Sequence, residues 1–185
     1  MVSQQSDRCV VTHPIGPRAY TAQMNSDPVS IRSAKLEDLT VLAELNSVVQ
    51  DLHVANRPDV FRPTERKAVI EWFRGCLERP NINIFIAERE ESAVGYLIAV
   101  VHERSDAVFS RAGRAIEIDQ IVVRPSSQRR GIGRALIRQV FYEAKANGIP
   151  KVTVKSWAFN LEAHATFVES GFTPEIIEFS RTVPE

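Results

Sequence analysis

Apolar residues recur along the chain with a period that changes several times, and each change marks an element. VSIRS (29–33) alternates and predicts a strand, after which Leu42, Leu45, Val49 and Leu52 fall on one side of a helix. Glu37 and Asp38 stand in its first turn, where acids complement the positive end of the helix dipole. HVANRPDVFRP (53–63) has two prolines and no period and predicts a loop. Val69, Trp72, Phe73 and Cys76 then predict a second amphipathic helix, with Thr64 as its candidate cap and an end before Pro80. NINIFIAE (81–88) and AVGYLIAVV (93–101) read as a hairpin across the charged turn EREES. Trp72, Phe73 and Phe85 are expected in the core.

Residues 102–114 are charged and small, and AIEIDQIVV (115–123) follows as a strand that runs into Arg124-Pro125. Leu136, Val140 and Ala144, flanked by Ile132, Ile137 and Phe141, predict a long amphipathic helix that ends at Asn147-Gly148 and Pro150. KVTVKSW (151–157) is a strand, Asn160 caps a short helix to Ser170, Gly171 suits the position after it, and EIIEFSRTV (175–183) closes the chain as a strand. The order predicts an α/β fold, a mixed sheet covered by helices. Residues 1–27 follow neither period and read as a flexible extension, leaving one domain over 28–185.

Composition narrows the function classes. Lysine plus arginine and aspartate plus glutamate both count 23, so no net charge draws the whole protein to nucleic acid or acidic membranes, and an anion site must be local. Lack of aromatic interleaving around the arginines also disfavours nucleic acid. Only two cysteines occur, Cys9 and Cys76, in no metal or disulfide spacing, which fits a reduced cytoplasm. No apolar run is long enough to span a membrane or to serve as a signal peptide.

The local anion site is QRRGIGRAL (128–136). A strand, a glycine-bearing loop and a helix start aim unpaired backbone N–H groups and a positive dipole at one point. Gly131 and Gly133 let a phosphate approach the main chain, and Arg129, Arg130 and Arg134 add charge. Neither the Walker pattern nor the three-glycine dinucleotide fingerprint is present.

IVVRPSSQRRGIGRALI, with Q-x-x-G-x-G at 128–133, resembles the acetyl-CoA-binding motif of the GNAT acyl-CoA N-acyltransferases, and NLEAHATFVESGF (160–172) resembles that family's C-terminal signature. The resemblance covers residues 29–183 and implies a mostly antiparallel sheet that splays at the cofactor site. It implies that Gln128 and the amides of Arg129, Arg130, Gly131, Ile132, Gly133 and Arg134 hold the pyrophosphate of acetyl-CoA. Ile121 and Val123 would pair with the pantetheine arm as if it were another strand, and Asn160 and Phe167 would border it. Dimers are frequent in that family, so a homodimer is a compatible state.

An alkylammonium keeps its proton up to about pH 10, so attack on a thioester near neutral pH needs a base. Strand alternation places Glu117, Asp119, Ile121 and Val123 on one face. Glu117, eleven residues before Gln128, matches the position of the base in some members and is favoured over Asp119. The alternative is that both acids are surface positions paired with Arg111 or Arg114. An N–H at Val122 or Val123 would face the charge that grows on the carbonyl oxygen.

Where many members carry a tyrosine acid, this chain has Val168, with Ser156, Tyr142 and water as weak substitutes. His53, Asn56, Asp59 and Arg62 are candidates for acceptor contacts, and His164 reads as a satisfied histidine. The expected function is direct N-acetyl transfer from acetyl-CoA to a primary amine of a small molecule, a peptide N-terminus or a lysine, with no metal. A non-catalytic acyl-CoA-binding regulatory module is the alternative.

Overall fold

The computed structural model describes residues 29–183, so the extension expected over 1–27 and Cys9 lie outside the described residues. Strands β1 (Ser30–Ser33), β2 (Ile82–Arg89), β3 (Ser92–Arg104), β4 (Gly113–Val123) and β5 (Val152–Val154) form one sheet in that order. The first three pairings are antiparallel. β4 and β5 run parallel, because helix α3 (Ile132–Ala146) carries the chain back between them.

The sheet buries both faces. Tyr96 and Ile98 turn to α1 (Leu39–Asn56) and α2 (Arg66–Leu77), while Leu97 and Ala99 turn to α3. Burial on both sides explains why AVGYLIAVV is apolar without alternation. The stripe on α3 is buried as expected: Ile132, Leu136, Ile137, Val140 and Ala144 meet Ile116, Ile118 and Leu97. Phe73 and Phe85 are buried too. Helix α4 (Leu161–Glu169) begins with Asn160 Oδ1 accepting from the Ala163 N–H at 3.2 Å. It ends with Gly171 at φ 88°, where the Phe172 N–H reaches the Phe167 carbonyl and the two rings meet.

Several expectations are corrected. HVAN belongs to α1, which continues to Asn56 and stops ahead of Pro58, since a proline disfavours helical geometry at the residue before it. Helix α2 starts after Glu65 with no side-chain cap, so Thr64 does not cap it. Trp72 is 45% exposed, beside the buried stripe and edge-on to Phe73, and is not core.

The strand expected over 151–157 pairs only through Val154. Beyond it Trp157 and Phe159 are drawn to Phe61 and His53, and His164 Nε2 donates to the Trp157 carbonyl at 3.1 Å. EIIEFSRTV forms no strand and pairs with none among the described residues, and Ile176 and Phe179 are 88% and 89% exposed. At its start Glu175 meets Lys151 Nζ at 2.7 Å.

Two local features fix β4. A Cβ on Gly95 would lie 2.5 Å from the Val122 carbonyl oxygen, so only glycine lets β3 approach β4 there. The register steps from Ile98↔Gln120 to Ala99↔Ile118, which leaves Asp119 as the extra residue of a β-bulge.

Candidate active site

The bulge decides which side chains share a face. Ile116 and Ile118 pack toward α3, and past Asp119 it is Ile121 and Val123 that do so, while Gln120 and Val122 join the face of α1 and α2. Simple alternation placed Ile121 and Val123 with the two acids; the inserted residue shifts the phase and separates them.

β4 also parts from β5 at this point. Pairing covers Ile116–Ile118 with Val152–Val154, so Asp119 to Val123 have no neighbour on their outer edge among the described residues. The Arg124 N–H donates to the Val94 carbonyl and the Val122 oxygen lies against Gly95, which turns the main-chain groups of Ile121 and Val123 toward the open edge. Of the two amides considered for the carbonyl oxygen, Val122 therefore faces β3 and Val123 faces the gap.

At the far end of β4 the loop 124–131 reaches α3. Gln128 Nε2 donates to the Val123 carbonyl at 3.1 Å and ties the loop to the strand end. Arg129 (φ 57°) and Gly131 (φ 79°) are left-handed, and this reversal swings successive amides to one side. None of the N–H groups from Arg129 to Arg134 donates to an acceptor among the described residues; the first helical bond is Ala135 N–H to the Gly131 carbonyl. A Cβ on Gly133 would stand 3.6 Å from Thr166 Cγ2 and 3.9 Å from Ile121 Cδ1, filling the groove between α4 and β4. Free amides at a helix start and a groove kept clear by glycine fit the pyrophosphate and arm of a CoA thioester.

Other expected contacts are more constrained. Asn160 spends its Oδ1 on the α4 cap, and Phe167 is buried in the core. Arg129 and Arg130 are exposed, and Arg134 lies 3.4 Å from Glu169. Val168 is exposed, and Tyr142 stands ten residues along α3 from Ile132, about 15 Å from the helix start.

The acids have different partners. Glu117 contacts Lys155 Nζ at 3.1 Å and His102 Nε2 at 3.6 Å, and Arg111 and Arg114 do not pair with it; Arg114 pairs with Glu103. Asp119 has no ion pair among the described residues. Burial, then the neighbouring Glu117 carboxylate, push its carboxyl above the ordinary carboxylate range. The residue keeps an exposed surface, and water there limits the burial effect.

Two buried polar residues, Asn46 and Tyr96, and the half-buried Gln120 gave no signal in the sequence. Asn46 Nδ2 donates to Tyr96 Oη at 2.9 Å and to Gln120 Oε1 at 3.2 Å, and Tyr96 Oη donates to Gln120 Oε1 at 2.7 Å. This triangle ties α1, β3 and β4 together at Gln120, the residue after Asp119.

His53 and Asn56 lie on the last turns of α1. Asn56 Nδ2 donates to the Leu52 carbonyl and Asp59 pairs with Arg57, whereas Arg62 gives only its carbonyl to Gln50 and is exposed, and the His53 ring stacks on Phe61. His164 is satisfied by the Trp157 carbonyl, as expected.

The sequence profile of the Acetyltransferase (GNAT) family matches residues 46–172. No curated protein matches the chain. Among solved structures, a tetramutant of the BH1408 protein from Bacillus halodurans superposes with a TM-score of 0.80 at 19% identity, covering 83% of this chain and 99% of that one. An aminoglycoside N-acetyltransferase, AAC(6')-Iy in complex with CoA, gives 0.68 at 20% identity over 86% and 97%. The apo aminoglycoside 6'-N-acetyltransferase AAC(6')-IG from Acinetobacter haemolyticus gives 0.64 at 18% identity over 84% and 99%. These likenesses are of fold. No helix among the described residues is long and apolar enough to cross a membrane.

Proposed function

The chain belongs to the GNAT acetyltransferase family, and from that premise we propose that it transfers an acetyl group directly from acetyl-CoA to a primary amine. The observation that carries this reading is the open outer edge of β4 from Asp119 to Val123, which leads from the acid pair to six free amides at the start of α3. Acetyl-CoA supplies the acetyl group as an activated thioester. Arg129 to Arg134 would bind its pyrophosphate through the main chain, with Gln128 fixing the loop, and Ile121 and Val123 would align its arm along the strand. The Val123 N–H, turned to the open edge of β4, would stabilise the negative charge on the thioester oxygen.

Asp119 would take the proton from the incoming ammonium, because its raised proton affinity brings it closer to the amine than an ordinary carboxylate. Glu117, favoured on position alone, would act beside it: its charge raises Asp119, while Lys155 and His102 hold it in place.

The test is thiol release from acetyl-CoA by the purified protein across amines and peptides, corrected for hydrolysis. We expect release that depends on one amine class. CoA binding with no amine-dependent release across the panel would instead favour the non-catalytic binding module. Cytoplasmic residence would suit a reaction that draws on an acetyl-CoA pool.

A second copy of the chain is the partner that the C-terminal segment suits. Ile177 and Phe179 alternate with polar residues, Ile176 stands just before them, and all three are exposed, while the outer edge of β5 has no strand beside it among the described residues. Light scattering should give a dimer mass that Ile176→Glu with Phe179→Glu reduces to one chain. A monomer for the unmodified protein removes this reading.

A further inference from the structure

The chain carries five lysines, Lys35, Lys67, Lys145, Lys151 and Lys155, and the last stands in the candidate active site. Its Nζ lies 3.1 Å from Glu117 Oε1 and 3.3 Å from Oε2. The others are placed elsewhere: Lys35 pairs with Glu37, Lys151 pairs with Glu175, Lys67 is on α2 and Lys145 is on the last turn of α3. Sheet register explains the position of Lys155. β4 and β5 pair in parallel as Ile116↔Val152, Glu117↔Thr153 and Ile118↔Val154, and there the ladder stops. Lys155 is the first residue past the fork on the β5 side, and Asp119 is the first on the β4 side, where the open edge toward Val123 begins.

An ammonium at the fork has the contact that an external acceptor needs, because its proton must pass to the acid pair. Both acids feel it. Glu117 is its ion-pair partner, and its charge lowers the proton affinity of Asp119 against burial and the charge of Glu117. The Lys155 side chain is 84% exposed, so its four-carbon stem can swing at the fork without displacing a packed group. An ion pair this exposed is weak and releases the amine readily. A nucleophile tethered beside an activated thioester reacts as if at high concentration.

Resting on the acetyltransferase reading, we propose that Lys155 is an internal acceptor and that the protein acetylates its own Lys155 from acetyl-CoA. The acid pair takes one proton from the ammonium, and Nζ then forms a bond to the thioester carbonyl carbon. The carbon–sulfur bond breaks, sulfur leaves with the bonding pair, and the nitrogen's second proton goes to the thiolate to give CoA. The product amide is neutral, so Glu117 loses its ion pair and Asp119 loses the charge that lowers its proton affinity. The modification thus acts on the groups that carry the transfer.

The experiment incubates the purified protein with acetyl-CoA and no added amine, and follows each lysine-bearing peptide by mass spectrometry. Lys155 should gain one acetyl group at least about tenfold faster than the other four lysines, as a tethered nucleophile does. The rate constant should not depend on protein concentration, and excess CoA should suppress it by occupying the cradle. Lys155→Arg keeps the charge against Glu117 and should still bind CoA, but the label should vanish from that peptide. Similar rates at all five lysines, a rate constant that rises with protein concentration, or labelling that excess CoA does not slow overturns the proposal. An unmodified Lys155 also overturns it, and added amines then separate the two readings. Amine-dependent thiol release leaves the acetyltransferase reading standing, whereas no transfer to any nitrogen removes both.

Discussion

Asp119→Asn is expected to lower kcat at pH 7 by about 10²–10⁴-fold with little change in acetyl-CoA affinity, as loss of a positioned general base does. The sign of the pH dependence follows from the raised proton affinity of Asp119. Below its pKa the carboxyl is protonated and cannot accept the ammonium proton, so kcat should rise with pH through a limb above the ordinary carboxylate range. Removing Asp119 should remove that limb. Glu117→Gln should instead move it to lower pH, because the like charge that raises Asp119 is gone, and should cost less activity.

Stability separates this from misfolding. A carboxyl whose proton affinity rises on folding stabilises the fold at low pH, and that contribution is lost as pH rises through its folded pKa. The neutral asparagine therefore should not lower Tm at pH 7. A limb that survives in Asp119→Asn and disappears in Glu117→Gln would return the base to Glu117.

The helices with clear stripes, the hairpin and the glycine-bearing turn were legible because each rests on local period or on a residue with special backbone freedom. Asn160 and Gly171 were legible as the two ends of α4 for the same reason. The bulge was not. It inserts one residue into β4 against β3, and nothing in AIEIDQIVV distinguishes Asp119 as unpaired, so the alternation assigned the wrong face to Ile121 and Val123. The Asn46–Tyr96–Gln120 triangle joins residues up to 74 apart in sequence, beyond any periodic signal. The ring cluster of His53, Phe61, Trp157 and Phe159 was hidden in the same way: its rings come from a helix end, a loop and a segment that sequence alone extends as strand. The C-terminal alternation predicted a strand, but the segment pairs with no edge of the sheet, and a strand is not stable without pairing.

Gly133→Ala is expected to weaken CoA binding by about 10–100-fold, the loss of one or two charge-assisted hydrogen bonds, while the protein stays as stable or gains stability. The added Cβ meets Thr166 and Ile121 at ordinary contact distances, so the fold itself does not require glycine there. Alanine is the better helix former by about 1 kcal/mol. What the methyl group removes is the clear groove beside free amides, where only a ligand would notice it.

Gly131 is a poorer probe, because its φ of 79° would strain alanine by roughly 1–2 kcal/mol and confound binding with folding. Calorimetric titration with CoA and a thermal melt of Gly133→Ala read the two quantities separately. Unchanged affinity with a raised Tm would mean that the glycine only opens the helix, and the cradle from Arg129 to Arg134 would lose its role. Weakened affinity with an unchanged or raised Tm would mean that a residue unfavourable to the helix is kept for the anion.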